Sequence, residues 1–376
     1  MTLKHLRVDN IGSMLRPAAL KRAFAARLAG EIDDEALAQA QDDAIRDLVA
    51  RQEALGMPLI VDGEFRRSGY LASFGEIEGA EHWLSNWTPK TVGREHPAEV
   101  GAVRGRDPTH DDSLRSPATV RLRLRRNRPL EEWRFVQALA ALPAKVTLIG
   151  PDRVSTLHAL GHPDDVYADA DQFIADVVAV EREMIGQLVE AGCRYVHIDE
   201  PGFTAYADAA SLEVLRGRSE DPSVNLQRSI DANNALIAGF GEVTFGVHLC
   251  RGNRESQWHR EGSYDAIAEA VLGGLAYDRL MLEYDSDRAG SFEPLRFVRD
   301  GAVVVLGLLT TKTGELEDPD DIRRRIEEAS RYVPLERLAL STQCGFASGI
   351  AGNLISEEDQ WRKLELVLEL ARDVWA

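Results

Sequence analysis

The chain has 376 residues, 44% of them hydrophobic, which suits one elaborated α/β barrel or two domains. Lys and Arg number 44 against 62 Asp and Glu, a net charge of −18 that argues against a general binder of nucleic acid or of anionic membranes. Three widely spaced cysteines exclude a disulfide framework, and the start of the chain lacks a signal-peptide core, so a reducing cytoplasm is the expected setting.

In chain order, short β-rich apolar runs predict strands over 8–11, 59–62, 145–149, 195–199, 244–249, 280–284, 303–308 and 338–342. Amphipathic segments between them predict helices, among them 33–55, 170–190, 229–239, 264–273 and 320–331. Strand alternating with helix is the pattern of parallel βα units. Eight such units predict the α/β class and a (β/α)8 TIM barrel, a single catalytic domain over 1–376. Its catalytic groups then sit at the C-terminal ends of the strands. No run is long enough to span a membrane.

One stretch breaks this rhythm. About 80 residues separate the second run from the third. A polar segment, 88–117, leads into VRLRLR, whose alternation of apolar and basic residues predicts an exposed hairpin. The insertion at 88–125 is then a lid, an arm that joins two copies in a homo-oligomer, or a decoration. Given the acidic whole, its arginines read as a solvated strand face rather than an RNA site.

The chemistry gathers after the apolar runs. Ser13 follows the first run, Glu64 the second and Asp199 with Glu200 the fourth. Two carboxylates at one cavity hold an ammonium group by charge-assisted hydrogen bonds, and Ser13 or a backbone N–H holds a carboxylate, so the set suits an amino acid. The bland alternatives are helix capping for Asp199 and an ion pair with Arg66 or Arg67 for Glu64. His248 and Cys250 share a strand face at i, i+2 spacing. Glu283 and Cys344 end two further apolar runs. Imidazole, two thiolates and a carboxylate form a donor set that Zn²⁺ favours, and a zinc centre of that kind activates a thiol. Lys312, after the seventh run, is an acid, an anion contact or a solvated side chain. Cys193 and His197 read as structural: Cys193 precedes a strand, on the opposite face of a barrel.

Taken together, GSMLRP, DGEF, HIDEP, VHLCRGN, LEYDSDRAGSFEPLR, VVLGLLTTKTGELED and STQCGFAS resemble the cobalamin-independent methionine synthase family, in particular its short single-barrel members. The resemblance runs from about residue 8 to residue 375. It implies a zinc-dependent methyltransferase with His248, Cys250, Glu283 and Cys344 as zinc ligands. It also implies Ser13, Glu64 and Asp199 as contacts to homocysteine, with methyltetrahydrofolate or another methyl donor as second substrate. Lys312, in TTKT, stands where the full-length enzymes carry a His in DIHS as proton donor. GPDRVSTLHAL places Leu157 or His158 where they carry a folate-stacking Trp. Two alternatives follow: thiol alkylation of the epoxyalkane–coenzyme M transferase kind, and a zinc hydrolase or lyase that activates water.

Overall fold

In the computed structural model, residues 3–81 and 104–376 are described. A six-stranded parallel sheet runs in sequence order: β3 (Val146–Ile149), β4 (Tyr195–Asp199), β5 (Thr244–Leu249), β6 (Arg279–Glu283), β7 (Val303–Leu309) and β8 (Leu338–Thr342). Register places Ile149 beside Asp199, Asp199 beside His248 and Glu283 beside Gly307, so strand ends lie level. Twisted parallel strands joined by right-handed helical crossovers curl into a barrel.

Two earlier segments complete the ring through single bridges. Val8 pairs with Leu340, Ser13 with Gly63 and Ile60 with Ala144, all parallel. The fold is therefore a (β/α)8 barrel. At 8–11 and 59–62, however, the expected strands shrink to bridges. The turns that follow them explain why. Gly12, Gly63 and Glu64 have φ of 137°, 67° and 60°, outside the extended region, so no continuous ladder forms and pairing there is the single Ser13–Gly63 bridge. At Gly12, an added Cβ would also lie 2.5 Å from Thr147 Cγ2, so only glycine fits.

The alternating run finds its partner elsewhere than expected. β2 (Arg123–Leu124) pairs antiparallel with β1 (Ile77–Glu78), upstream of the insertion, rather than folding back on itself. Residues 88–103 of the expected insertion lie outside the described residues. From Arg104 on, the chain docks on the loop after β5: the Gly105 N–H donates to the Trp258 carbonyl at 2.7 Å, and Asp107 pairs with Arg260 at 2.6 Å.

Successive strand residues face opposite sides. Val304, Leu306 and Leu308 point outward into the main core, shared with Ile322, Ile326 and Val367 of the covering helices. Val303, Val305, Met281, Tyr195 and Ile11 fill the barrel floor. Among these apolar residues stand four buried charged or polar ones: Asp9, Lys145, His197 and Arg279. They contact one another below the barrel mouth, where the site begins.

Candidate active site

The mouth holds a cavity of about 390 Å³ lined by Ser13, Glu64, Asp199, His248, Cys250 and Cys344 among others. Six residues expected at the site from the sequence thus converge on one space. Glu283 lies behind His248 and Cys250, fully buried.

Parity on β5 turns Gly246 and His248 inward, and Cys250 follows just past the strand end. Glu283 closes β6, and Cys344 sits in the turn after β8. One ligand atom from each of His248, Cys250, Glu283 and Cys344 lies within 4.8 Å of the others. The two sulfurs are 3.6 Å apart, and His248 Nε2 is 3.8 Å from Glu283 Oε1. Tetrahedral zinc with bonds of 2.0–2.3 Å separates its donor atoms by about 3.3–3.8 Å, a range that these two separations match.

The hydrogen bonding fits as well. Neither ring nitrogen of His248 has a well-formed hydrogen bond, and Glu283 Oε2 has no partner, although all are buried. Buried polar atoms are normally satisfied, so orphaned atoms on both His248 and Glu283, two members of the four-donor cluster, are what a cation would complete. Glu283 Oε1 accepts from the Arg251 N–H at 2.8 Å, and Cys250 Sγ accepts from the Gly252 N–H at 3.3 Å, which orient two ligands. Burial raises Glu283 to about 8, with the Cys250 charge adding to it. The Cys344 S–H, shared with Cys250, lowers Cys250 to about 7 and correspondingly raises Cys344. Burial holds His248 below its ordinary value, in the neutral form that ligates metals.

Beside this cluster stand the two carboxylates. Glu64 Oε1 accepts from the Thr147 hydroxyl at 3.0 Å, and Oε2 has no protein partner. Arg67 is 3.8 Å from Glu64 but gives its close contacts to Glu132, at 2.7 and 2.9 Å, while Arg66 turns to Asp42. The suspected ion pair is thus a long one. Burial raises Glu64 to about 7 against the pull of Arg67, and raises Asp199 to about 6.

The two carboxylates of HIDEP divide their work. Asp199 does not cap a helix; its Oδ1 meets His197 Nε2 at 3.1 Å. Glu200 turns away from the mouth and accepts from the N–H groups of Asp152 and Arg153, each at 3.0 Å, at the start of the helix Pro151–Ser155. It therefore belongs to the scaffold rather than to an ammonium pocket. Ser13 lines the cavity, and its Oγ accepts from the Ala347 N–H at 3.4 Å.

Lys312 departs from expectation. Its ammonium donates to the Gly252 carbonyl at 2.9 Å and to Asn253 Oδ1 at 2.8 Å, it is buried, and it does not line the cavity. It is neither solvated nor placed to meet a donor; it staples the loop that carries Cys250. His158 also turns away, stacked on Phe173 at 3.9 Å and paired with Asp165, and neither it nor Leu157 lines the cavity. The outer wall comes instead from Tyr70, Pro108, Thr109, Arg153 and Arg260. Sequence reasoning missed Tyr70, Asn253 and Arg260; the polar CRGN run after a strand was the available signal for Asn253. Cys193 is buried at the other end of the barrel, its thiol donating to the Tyr195 carbonyl at 3.4 Å. Among the described residues no helix is long and apolar enough to cross a membrane.

Comparison with known proteins agrees with this geometry. The family model of the cobalamin-independent synthase catalytic domain matches residues 112–356. The chain is 37% identical over 376 residues to the uncharacterized protein YxjH of Bacillus subtilis, covering 98% of this chain and 94% of that one. It is 26% identical over 352 residues to the 5-methyltetrahydropteroyltriglutamate–homocysteine methyltransferase of Rhodococcus jostii, covering 92% of this chain but 41% of that protein. A candidate vitamin-B12-independent methionine synthase from Listeria monocytogenes has a similar structure, with a TM-score of 0.73 at 27% identity, covering 99% of this chain and 98% of that one.

Proposed function

The chain belongs to the cobalamin-independent methionine synthase family, and from that premise we propose that it is a zinc-dependent methyltransferase that methylates the thiol of homocysteine. One observation carries the reading: three donors of a four-donor cluster, His248, Cys250 and Cys344, line the same cavity as the carboxylates of Glu64 and Asp199, with Glu283 buried behind them.

A zinc ion held by His248, Cys250, Glu283 and Cys344 would supply the Lewis acidity that makes an incoming thiol ionise at neutral pH. Glu64 and Asp199 hold the substrate ammonium, with Glu64 Oε2 left free by the protein for that purpose. The Ser13 hydroxyl donates to the carboxylate end. Held this way, the sulfur faces the outer part of the cavity, and in-line attack on a methyl carbon forms the S–C bond as the donor departs with its electron pair. Positioning lowers the barrier by removing the entropy cost of encounter. The Lys312 ammonium acts from behind the loop: its charge favours the ionised forms of Cys250 and Glu283. The methyl donor enters along Tyr70, Pro108, Arg153 and Arg260; methyltetrahydrofolate is one member of the donor class. A reducing compartment such as the cytoplasm keeps the two closely spaced thiols from oxidation.

A coenzyme M-type thiol fits less well, because its sulfonate would face Glu64 and Asp199 as a like charge. The test is a donor screen with homocysteine and coenzyme M as acceptors, read by mass spectrometry. Methionine should form with homocysteine and a methyl donor. Turnover without any thiol would point to water activation instead. In the active system, Glu64→Gln should raise the homocysteine KM by on the order of 10–100-fold with zinc content unchanged, the effect of losing a hydrogen bond to a charged group. Because Glu64 ionises at about 7, kcat/KM for homocysteine should climb as pH rises through that value. A Glu64→Gln profile with the same climb would assign the ionisation to another group.

A further inference from the structure

Beneath the mouth, the barrel interior contains a continuous line of polar contacts that the chemistry above does not use. Asp9 lies at its base. Its Oδ1 accepts from Lys145 Nζ at 2.7 Å, and its Oδ2 accepts from the Tyr195 hydroxyl at 2.5 Å and from Arg279 Nε at 3.0 Å. Lys145 Nζ also donates to the Asn10 carbonyl and meets His197 Nδ1 at 3.1 Å. The other ring nitrogen, His197 Nε2, meets Asp199 Oδ1 at 3.1 Å. The Lys145 and Asp9 side chains and the whole of His197 have no exposed surface.

The direction of this line follows from donor counting. An ammonium has three N–H donors and no acceptor. All three on Lys145 are engaged, by Asp9, Asn10 and His197. His197 Nδ1 must therefore accept. In a neutral imidazole the proton then resides on Nε2, which donates to Asp199. Lys145 thus selects the His197 tautomer, and the tautomer decides what Asp199 receives. With Oδ1 occupied, one oxygen of Asp199 is left for a ligand in the cavity that it lines.

We propose that Lys145 and His197 are positioning residues that hold Asp199 as an oriented, ionised acceptor for the ammonium group of the thiol substrate. This rests on Asp199 contacting that ammonium. A histidine present only to fill space would be replaceable by an apolar residue of similar size. One present to relay a hydrogen bond would be replaceable only by a side chain that accepts at one end and donates at the other. Glutamine is such a side chain.

The test compares homocysteine with 4-mercaptobutyrate, the same thiol acid without its amino group, by calorimetry on zinc-loaded protein. The wild type should prefer homocysteine. His197→Met should lose that preference by on the order of tenfold, the worth of a hydrogen bond to a charged group, while it keeps 4-mercaptobutyrate binding and zinc content. His197→Gln should restore it, and in turnover the Met variant should change KM more than kcat. If Asp199→Asn abolishes the preference and His197→Met does not, the relay is wrong and the amino-group contact stands. If Asp199→Asn leaves the preference intact, the amino-group contact itself falls, and the relay with it. If His197→Met loses 4-mercaptobutyrate binding too, the fold has been damaged, and ¹⁵N spectra of the wild-type ring decide: a proton on Nε2 supports the relay, and a proton on Nδ1 overturns it.

Discussion

Cys344→Ala is expected to strip most of the zinc from the protein and with it nearly all methyl transfer. A four-ligand zinc site is worth on the order of 10–16 kcal/mol, so loss of one thiolate should weaken it about 10²–10³-fold. The site has little means of repair. Cys344 Sγ is the partner 3.6 Å from Cys250 Sγ, and neither ring nitrogen of His248 has a well-formed hydrogen bond to fall back on. The fold should survive, because the change removes a single sulfur from a turn beyond β8 whose backbone bonds, such as Gln343 N–H to the Leu309 carbonyl at 2.7 Å, do not involve it. Metal analysis after dialysis against a mild chelator, together with turnover and circular dichroism, separates the two effects. Cys193→Ala is the matched control: its thiol touches only the far end of the barrel, and zinc content and rate should stay at wild-type levels. Full zinc and full rate in Cys344→Ala would remove the four-ligand assignment.

The site was readable before the fold was known because a barrel gathers the ends of its strands. Any polar residue just past an apolar run arrives at the mouth, so runs ending in HLC, LE and STQC were enough to bring four donors together. Where pairing rather than burial decides the structure, the sequence misleads. The runs at 8–11 and 59–62 are buried like strands, Asp9 and Asn10 included, yet their pairing is confined to single bridges around the positive-φ residues that follow them. The helix Pro222–Ile237 begins well before the 229 that periodicity suggests, because its first turns are polar. Its start is written in Asp221 and Pro222: the Asp221 carboxylate accepts from the Ser223 N–H at 2.9 Å, and proline occupies the first helical position. The interior line was partly visible too, since Lys145 and His197 are polar residues in otherwise apolar runs. Their partners were not, because the contacts that define them join positions 52 and 136 residues apart. Lys312 failed for a related reason: proximity in sequence to a strand end places the Cα at the mouth, but a long stem can carry its charge behind a neighbouring loop.

Asp9→Asn is expected to be the most destabilising single change at the barrel floor, by roughly 3–5 kcal/mol, because it leaves Lys145 and Arg279 buried without a counter-ion. Burial alone would raise the pKa of Asp9, but Lys145 and Arg279 outweigh it and hold the group at about 2. A folded-state pKa below the unfolded one stabilises the protein at pH above the unfolded value, and this contribution is lost as pH falls toward 2. It amounts to roughly 2–3 kcal/mol near neutral pH. Asparagine cannot titrate, so the stability gap between wild type and variant should be wide at pH 7 and shrink on the acid side. Burial also holds Lys145 below its ordinary pKa, and without Asp9 that depression should deepen. The variant should therefore gain stability relative to wild type as pH rises and Lys145 loses its proton. Urea unfolding at about pH 3, between the folded and unfolded pKa values of Asp9, and at about pH 7 and 9 measures all three conditions. A gap below about 1 kcal/mol at neutral pH, within the range of an ordinary neutral hydrogen bond, would mean that the floor charges are compensated by something other than Asp9. A gap of the predicted size that narrows in both directions would show that the charged floor, on which the line to Asp199 rests, is held together by that one carboxylate.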